Sequence, residues 1–260
     1  MIITSTANPL VKRIRMLRDR KHRRAEGAFF VEGVQPVWRA REAGADIEVL
    51  VIAPDLIAGG PAEAFVGDFE RRGGDVARLT AEAFASISDR DGPAGMAAIV
   101  RGTTATLGDL SVDATSVFVG LYEIANPGNL GTIIRTADSF GVAGVVLIGD
   151  TADPFAPAAV KASMGSLFAL RVVQAAVDEA LGWATASGVA VVTTSARASV
   201  ALGDAPLPKP SLVLFGSEGD GLPADVIGRG SVDIRIPMRG TASSLNLAVA
   251  AGIVLYFATA

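Results

Sequence analysis

"NPGNLGTIIRTA" (residues 126–137) puts proline, glycine and asparagine directly ahead of an apolar helical stripe that carries one arginine. Gly128 and Gly131 permit tight turns and close backbone approach. Asn129 is suited to cap a helix. Leu130, Ile133, Ile134, Ala137 and Phe140 recur at helical spacing and form a stripe for burial. Arg135 falls off that stripe. Arg135 lies six positions after Asn129, about 600° of helical rotation or about 240° net. The two share a site only because the asparagine sits in the turn and the arginine is long. Taken alone, the stretch reads more readily as a capped helix with a surface arginine.

The stretch follows "SVFVGLYEI" (116–124), a continuous apolar run, and such runs recur downstream. Strands are expected at 144–149, 170–173, 189–195, 211–217 and 232–238. Helices are expected at 155–168 and 177–187, with a last one from about Ser244. Unbroken β-branched strands alternating with helices imply an α/β fold, a parallel sheet covered on both faces. Ligands of such sheets sit outside the carboxyl ends of the strands, which singles out two more loops. In "LFGSEGDGLP" (214–223) a strand ends at Gly216, and Gly219 and Gly221 loop round to Pro223, with Glu218 between. The order G-x-x-G-x-G is not the dinucleotide order, and no Lys-Ser/Thr follows, so it is not a P-loop. In "IPMRGTASSLNLAVAAGIVLY" (236–256) small polar residues lead into a helix apolar on all sides. Capping explains one or two of Ser243, Ser244 and Asn246, but not the cluster.

Ahead of this half, residues 1–101 read as a smaller α/β unit. A turn at Asn8-Pro9 opens a helix with Leu10, Ile14 and Leu17 at helical spacing. Strands are expected at 28–33, 47–53, 74–80 and 96–101, with helices at 34–44 and 61–72. The polar stretch 102–115 reads as a linker, leaving 116–260 as the second domain.

Composition narrows the chemistry. Half of the 260 residues are hydrophobic and few are aromatic, which suits helices packed on a sheet. There is no cysteine and one histidine, His22. Disulfides, His/Cys zinc sites and Ser-His-Asp triads are therefore not expected, and no metal site is assigned. No apolar run precedes the first charges, so no signal peptide is expected, and the location is read as cytoplasmic. The apolar segment 247–260 is shorter than the ~20 residues a bilayer span needs, so no membrane role is expected. The net charge is −4, yet residues 1–24 hold eight basic side chains against Asp19 alone. A basic arm on an otherwise acidic chain suggests a polyanion; Arg18, Arg20, Lys21, Arg23 and Arg24 are its candidate contacts.

Taken in order, residues 126–137, 214–223 and 236–256 resemble the three signature motifs of the SpoU (TrmH-like, SPOUT superfamily) RNA ribose 2′-O-methyltransferases. "FFVEGVQPV" and "GPAGMAAIV" resemble the substrate-binding domain often found ahead of them. The resemblance implies a C-terminal α/β domain with a deep trefoil knot, and a ribosomal-protein L30e-like N-terminal domain. It also implies S-adenosylmethionine as cofactor and a homodimer through the C-terminal domain. By motif position it gives Asn129, Arg135, Glu218, Ser244 and Asn246 as catalytic. It gives Leu214, Gly216, Ile236, Met238 and Leu245 as cofactor contacts, largely through backbone, with Thr193 and Ser195 beside them.

Methyl transfer to a 2′-hydroxyl needs oxygen, carbon and sulfur in line and a route for one proton. A free guanidinium has a pKa above about 12. Arg135 therefore either becomes basic in its site or stays charged and holds a phosphate while a phosphate oxygen or water takes the proton. The separate basic N-terminal unit favours 23S ribosomal RNA as substrate. A tRNA substrate, and a non-catalytic assembly factor that kept the fold, remain as alternatives.

Overall fold

The computed structural model describes residues 1–57, 60–89, 92–204 and 206–260. Its contacts divide the chain into two units, one of residues 1–103 with 155–168, the other of residues 104–154 with 169–260.

The first unit contains β1 (Ile2–Ile3), α1 (Pro9–Met16), α2 (Arg20–Glu26), β2 (Ala28–Glu32), α3 (Val34–Glu42), β3 (Ile47–Ile52), α4 (Pro54–Ile57), α5 (Pro61–Arg71), β4 (Val76–Leu79), α6 (Ala81–Ala85) and β5 (Met96–Arg101). Its sheet runs β1-β4-β3-β5-β2, with β5 antiparallel to both neighbours. The basic run is two helices, not one. Asn8 caps α1, its side chain accepting from the Leu10 amide at 2.9 Å, with Pro9 in the first turn. Asp19 restarts the helix by accepting from the Lys21 amide at 2.7 Å, and Gly27 ends it at φ 60°. Val11, Ile14 and Leu17 are buried, packing with Phe30, Phe84 and Ile99 into the core.

The second unit contains β6 (Val117–Tyr122), α7 (Pro127–Ser139), β7 (Gly144–Ile148), β8 (Val172–Ala175), α9 (Val177–Ala186), β9 (Ala190–Thr194), β10 (Val200–Ala201), β11 (Ser211–Phe215), α10 (Ala224–Ile227), β12 (Val232–Arg235) and α11 (Leu247–Thr259); α8 (Pro157–Ser163) lies in the first unit. Its sheet is parallel throughout, in the order β10-β12-β9-β11-β6-β7-β8. The late strand β11 inserts between β6 and β9. Four adjacent strands, β12, β9, β11 and β6, therefore send their carboxyl ends to one edge.

Two boundaries differ from the sequence reading. Residues 104–115 are not a free linker: Ala105 bridges to Val173, and Leu110 is buried in the core of the second unit. The helix expected at 155–168 is shorter, stopped by left-handed Met164 and Gly165. This segment packs in the first unit, where Phe29 lies 4.6 Å from Phe155 and 6.0 Å from Phe168, ring centre to ring centre. Aromatic burial here outweighs sequence proximity to the second half. The short strands β1 and β10 have too few residues to show a period.

Candidate functional site

The parallel sheet delivers three loops to one place. At the end of β6, Asn126, not Asn129, caps α7; its side-chain oxygen accepts from the amides of Gly128 (2.8 Å) and Asn129 (3.2 Å). Pro127 fixes the first turn. Asn129 is thereby released for other bonds. Its amide nitrogen donates to Glu218 Oε1 at 3.0 Å, in the loop after β11. Its oxygen accepts from Asn246 Nδ2 at 3.2 Å, at the start of α11. Asn246 uses its own oxygen to cap α11, accepting from the Ala248 and Val249 amides. The expected helix start at Ser244 thus moves to Leu247, because the cap is Asn246, the last residue of the polar cluster. Three of the five expected catalytic side chains form one hydrogen-bonded chain across three loops.

The other two lie apart from that chain. Ser244 lines a pocket beside it. Arg135 is exposed on α7, and among the described residues its guanidinium makes no hydrogen bond or ion pair. Helices α7 and α11 pack together, with Phe140 edge-on to Tyr256 at 6.0 Å.

The pocket, a cavity of about 170 Å³, is built from the carboxyl ends of β9, β11 and β12 and the start of α11. Phe215, Ile234, Ile236, Leu245 and Val254 give it apolar walls, and Thr194, Ser195, Ser243 and Ser244 give it hydroxyls. This mixture suits a ligand with a flat apolar part and a hydroxylated part. Of the expected cofactor contacts, Ser195, Ile236, Met238 and Leu245 line it. Thr193 does not. It is fully buried on the opposite face of β9, where its hydroxyl donates to Asp233 Oδ1 at 3.0 Å. Burial pushes the Asp233 carboxyl up, partly opposed by that bond. Strand alternation turns Thr194 to the pocket instead, and Thr194 Oγ1 donates to the Leu214 carbonyl at 2.9 Å. The side chain of Leu214 is in the core. Gly216 has a steric role: a Cβ there would lie 2.0 Å from the Gly221 carbonyl carbon. The loop carrying Glu218 closes on this glycine, with the Gly221 amide donating to the Ser217 carbonyl at 3.1 Å.

Two further groups flank the first loop. Glu123 adopts φ 49°, a strained value for a non-glycine residue, three residues before the cap. Burial, then the charge of Glu123, pushes the Tyr122 phenol up. Nothing in the local sequence signals either feature.

The basic run is largely committed inside its own unit. Arg23 is buried and donates to the carbonyls of Leu17 (2.9 Å) and Arg18 (2.6 Å), so it is a structural residue, not an exposed RNA contact. Arg18 pairs with Asp89 at 2.7 Å, and Arg13 with Glu26 and Glu48. Arg20 is half-buried. Lys21 and Arg24 stay exposed. Among the described residues no cluster of three acidic or histidine side chains is arranged to hold a metal, and no helix is long and apolar enough to cross a membrane.

Comparison with known proteins adds to this geometry. Residues 116–256 match the SpoU rRNA Methylase family, and residues 8–98 match the MRM3-like substrate binding domain. An uncharacterized tRNA/rRNA methyltransferase of Synechocystis is 32% identical over 265 residues, covering 98% of this chain and 92% of its own. The 23S rRNA (guanosine(2553)-2′-O)-methyltransferase RlmP of Bacillus subtilis is 29% identical over 255 residues, covering 98% and 97%. An AdoMet-bound rRNA methyltransferase from Sinorhizobium meliloti has a similar structure, with a TM-score of 0.90 at 37% identity over 99% of this chain and 97% of that one.

Proposed function

Because this chain belongs to the SpoU rRNA Methylase family, we propose that it transfers a methyl group from S-adenosylmethionine to a ribose 2′-hydroxyl of 23S ribosomal RNA. The observation that carries the reading is the chain Asn246–Asn129–Glu218, which ties three loops together beside a pocket of matching chemistry. The relatives that act on 23S rRNA span this chain almost end to end, which supports ribosomal RNA over tRNA.

The pocket residues fit the cofactor. Apolar walls from Phe215, Ile236 and Leu245 suit its adenine, and the hydroxyls of Thr194, Ser195 and Ser244 suit its polar groups. When bound, S-adenosylmethionine supplies an electrophilic methyl on a sulfonium. The remaining work belongs to the chain. Asn129, Glu218 and Asn246 hold the loops in register. Arg135 holds an RNA phosphate by paired N–H donors. The 2′-hydroxyl proton then passes to a phosphate oxygen or water. Positioning supplies much of the rate.

Further parts of the reading follow from the family. The second unit is a deep trefoil knot; the late insertion of β11 between β6 and β9 supports a threaded path. The first unit is an L30e-like RNA-binding domain. The protein is a homodimer through α11, where Val249, Tyr256 and Phe257 remain 52%, 60% and 48% exposed. It acts in the cytoplasm, on ribosomal RNA.

The test offers purified protein tritiated S-adenosylmethionine with unmodified 23S rRNA and, separately, tRNA. Label mapped to a ribose in rRNA is the expected result. Label only in tRNA overturns the substrate, and cofactor binding with no transfer to either overturns the enzymatic reading.

A further inference from the structure

Helices α3 and α5, with the adjoining Arg72, balance four arginines against Glu42, Glu63, Asp68 and Glu70, but three of the four cations gather on one acid. Asp68 on α5 receives three arginines: Arg41 from α3 at 2.5 Å, Arg72 at 3.0 Å and Arg71 at 3.3 Å. One carboxylate thus stands against three guanidinium groups. Exposed ion pairs contribute little to stability, so a third cation on the same acid adds mainly repulsion. Arg71 and Arg72 remain 75% and 72% exposed, with spare donors facing solvent.

The same face carries an ordered aromatic surface. Trp38, 37% exposed, leans on Phe65 at 5.3 Å between ring centres. Its indole nitrogen donates to Glu42 at 2.9 Å, which fixes the ring orientation. The Arg41 guanidinium lies over the rings of Phe65 and Phe69 at 5.4 and 5.6 Å. Phe65, Asp68 and Arg72 follow one another at i, i+3 and i+7 along α5 and its C-cap. The platform and Arg72 therefore share one helix face and span about 10 Å, and Arg71 joins them through Asp68.

We propose that this α3–α5 face binds a single-stranded segment of the substrate RNA, with a base stacked on Trp38 and phosphates held by Arg71 and Arg72. The inference rests on the RNA methyltransferase reading and extends it to a second contact surface, separate from Lys21 and Arg24 on α2. An acidic protein would meet the cations equally well but gives no use to an exposed, fixed indole. Nucleic acid uses both, stacking its bases on aromatic side chains beside basic groups that track the backbone.

The test uses the full chain and unmodified 23S rRNA transcript. RNA affinity is measured across a salt series for wild type, Arg71→Gln/Arg72→Gln and Arg71→Lys/Arg72→Lys. The glutamine pair is expected to flatten the log K against log salt slope by about 1.4–1.8, and the lysine pair to retain it. Trp38→Phe is expected to lose most of the RNA-dependent quenching of indole emission. Trp38→Ala is expected to bind about 5- to 150-fold more weakly. S-adenosylmethionine binding by calorimetry, expected unchanged in every variant, separates these effects from misfolding. An unchanged slope with intact quenching in Trp38→Phe overturns the face and leaves the enzyme reading standing. Wild type that binds cofactor but neither binds nor methylates RNA overturns both. Variants impaired only on ribosomal particles, with normal binding to naked RNA, overturn RNA as the occupant in favour of a ribosomal protein.

Discussion

Replacing Asn129 with aspartate changes one donor into an acceptor and almost nothing else. The side chain keeps its size, and its oxygen still accepts from Asn246 Nδ2. What changes is the 3.0 Å contact with Glu218, where a hydrogen bond becomes a meeting of two carboxylates. Two unit charges about 3 Å apart repel by about 1.4 kcal/mol in bulk water and by about 5 kcal/mol at an effective dielectric of 20. These side chains are only partly covered, so the lower half of that range applies. A penalty of about 1.5–3 kcal/mol reduces the population of the joined loops by roughly 10- to 150-fold. Asn129→Asp is therefore expected to lower the methyl-transfer rate on 23S rRNA by that factor, with cofactor affinity changed only a few-fold. The repair is specific. In Asn129→Asp/Glu218→Gln the glutamine amide donates to the aspartate, restoring the bond with its polarity reversed. The double variant should be faster than Asn129→Asp alone, with a coupling energy above about 1 kcal/mol. Asn129→Asp alone should also recover rate as the pH falls, because one of two close carboxyls then holds a proton and donates it. A double variant no faster than the single one, with no pH recovery, would refute the view that this bond aligns the loops.

The remaining predictions concern single positions. Arg135→Ala should abolish methyl transfer while calorimetry finds cofactor binding within a few-fold of wild type; lost cofactor binding would place Arg135 in the pocket instead. Gly216→Ala should displace the 217–221 loop, since its Cβ meets backbone 2.0 Å away, and should cost both cofactor affinity and at least ~1 kcal/mol in denaturant unfolding. Arg23→Ala should destabilise the protein by about 1–3 kcal/mol through two lost carbonyl bonds. Lys21→Gln/Arg24→Gln should leave the Tm unchanged and flatten the salt dependence of RNA binding; a Tm loss there would mean these side chains also serve the fold.

How much of this was legible in the sequence depends on which physical signal each feature leaves. Apolar runs and intervening helices marked the parallel sheet of the second unit, because burial on both faces writes itself as continuous Val, Leu and Ile. Strand order left no such mark. Nothing in 211–215 says that it lies between 117–122 and 190–194, yet that insertion brings Glu218 to Asn129. Sequence periodicity reports what a strand buries, not which strand it pairs with. The choice between two asparagines was legible and was missed. Proline favours the first helical position, so Pro127 marks Asn126 as the cap and frees Asn129. The choice between Thr193 and Thr194 was only half legible. Alternation requires them to face opposite sides, but which side is decided by distant packing, with Gly230 and Asp233 against Thr193. Arg23 follows the same logic from the other direction. Asp19 and Gly27 mark a second short helix within the basic run, and a helix of seven residues lying on a sheet must turn some of its side chains inward. A dense run of like charge therefore specified a solvated arm less than its composition suggested. The charge count held, but the carbonyls of Leu17 and Arg18 had already claimed part of it.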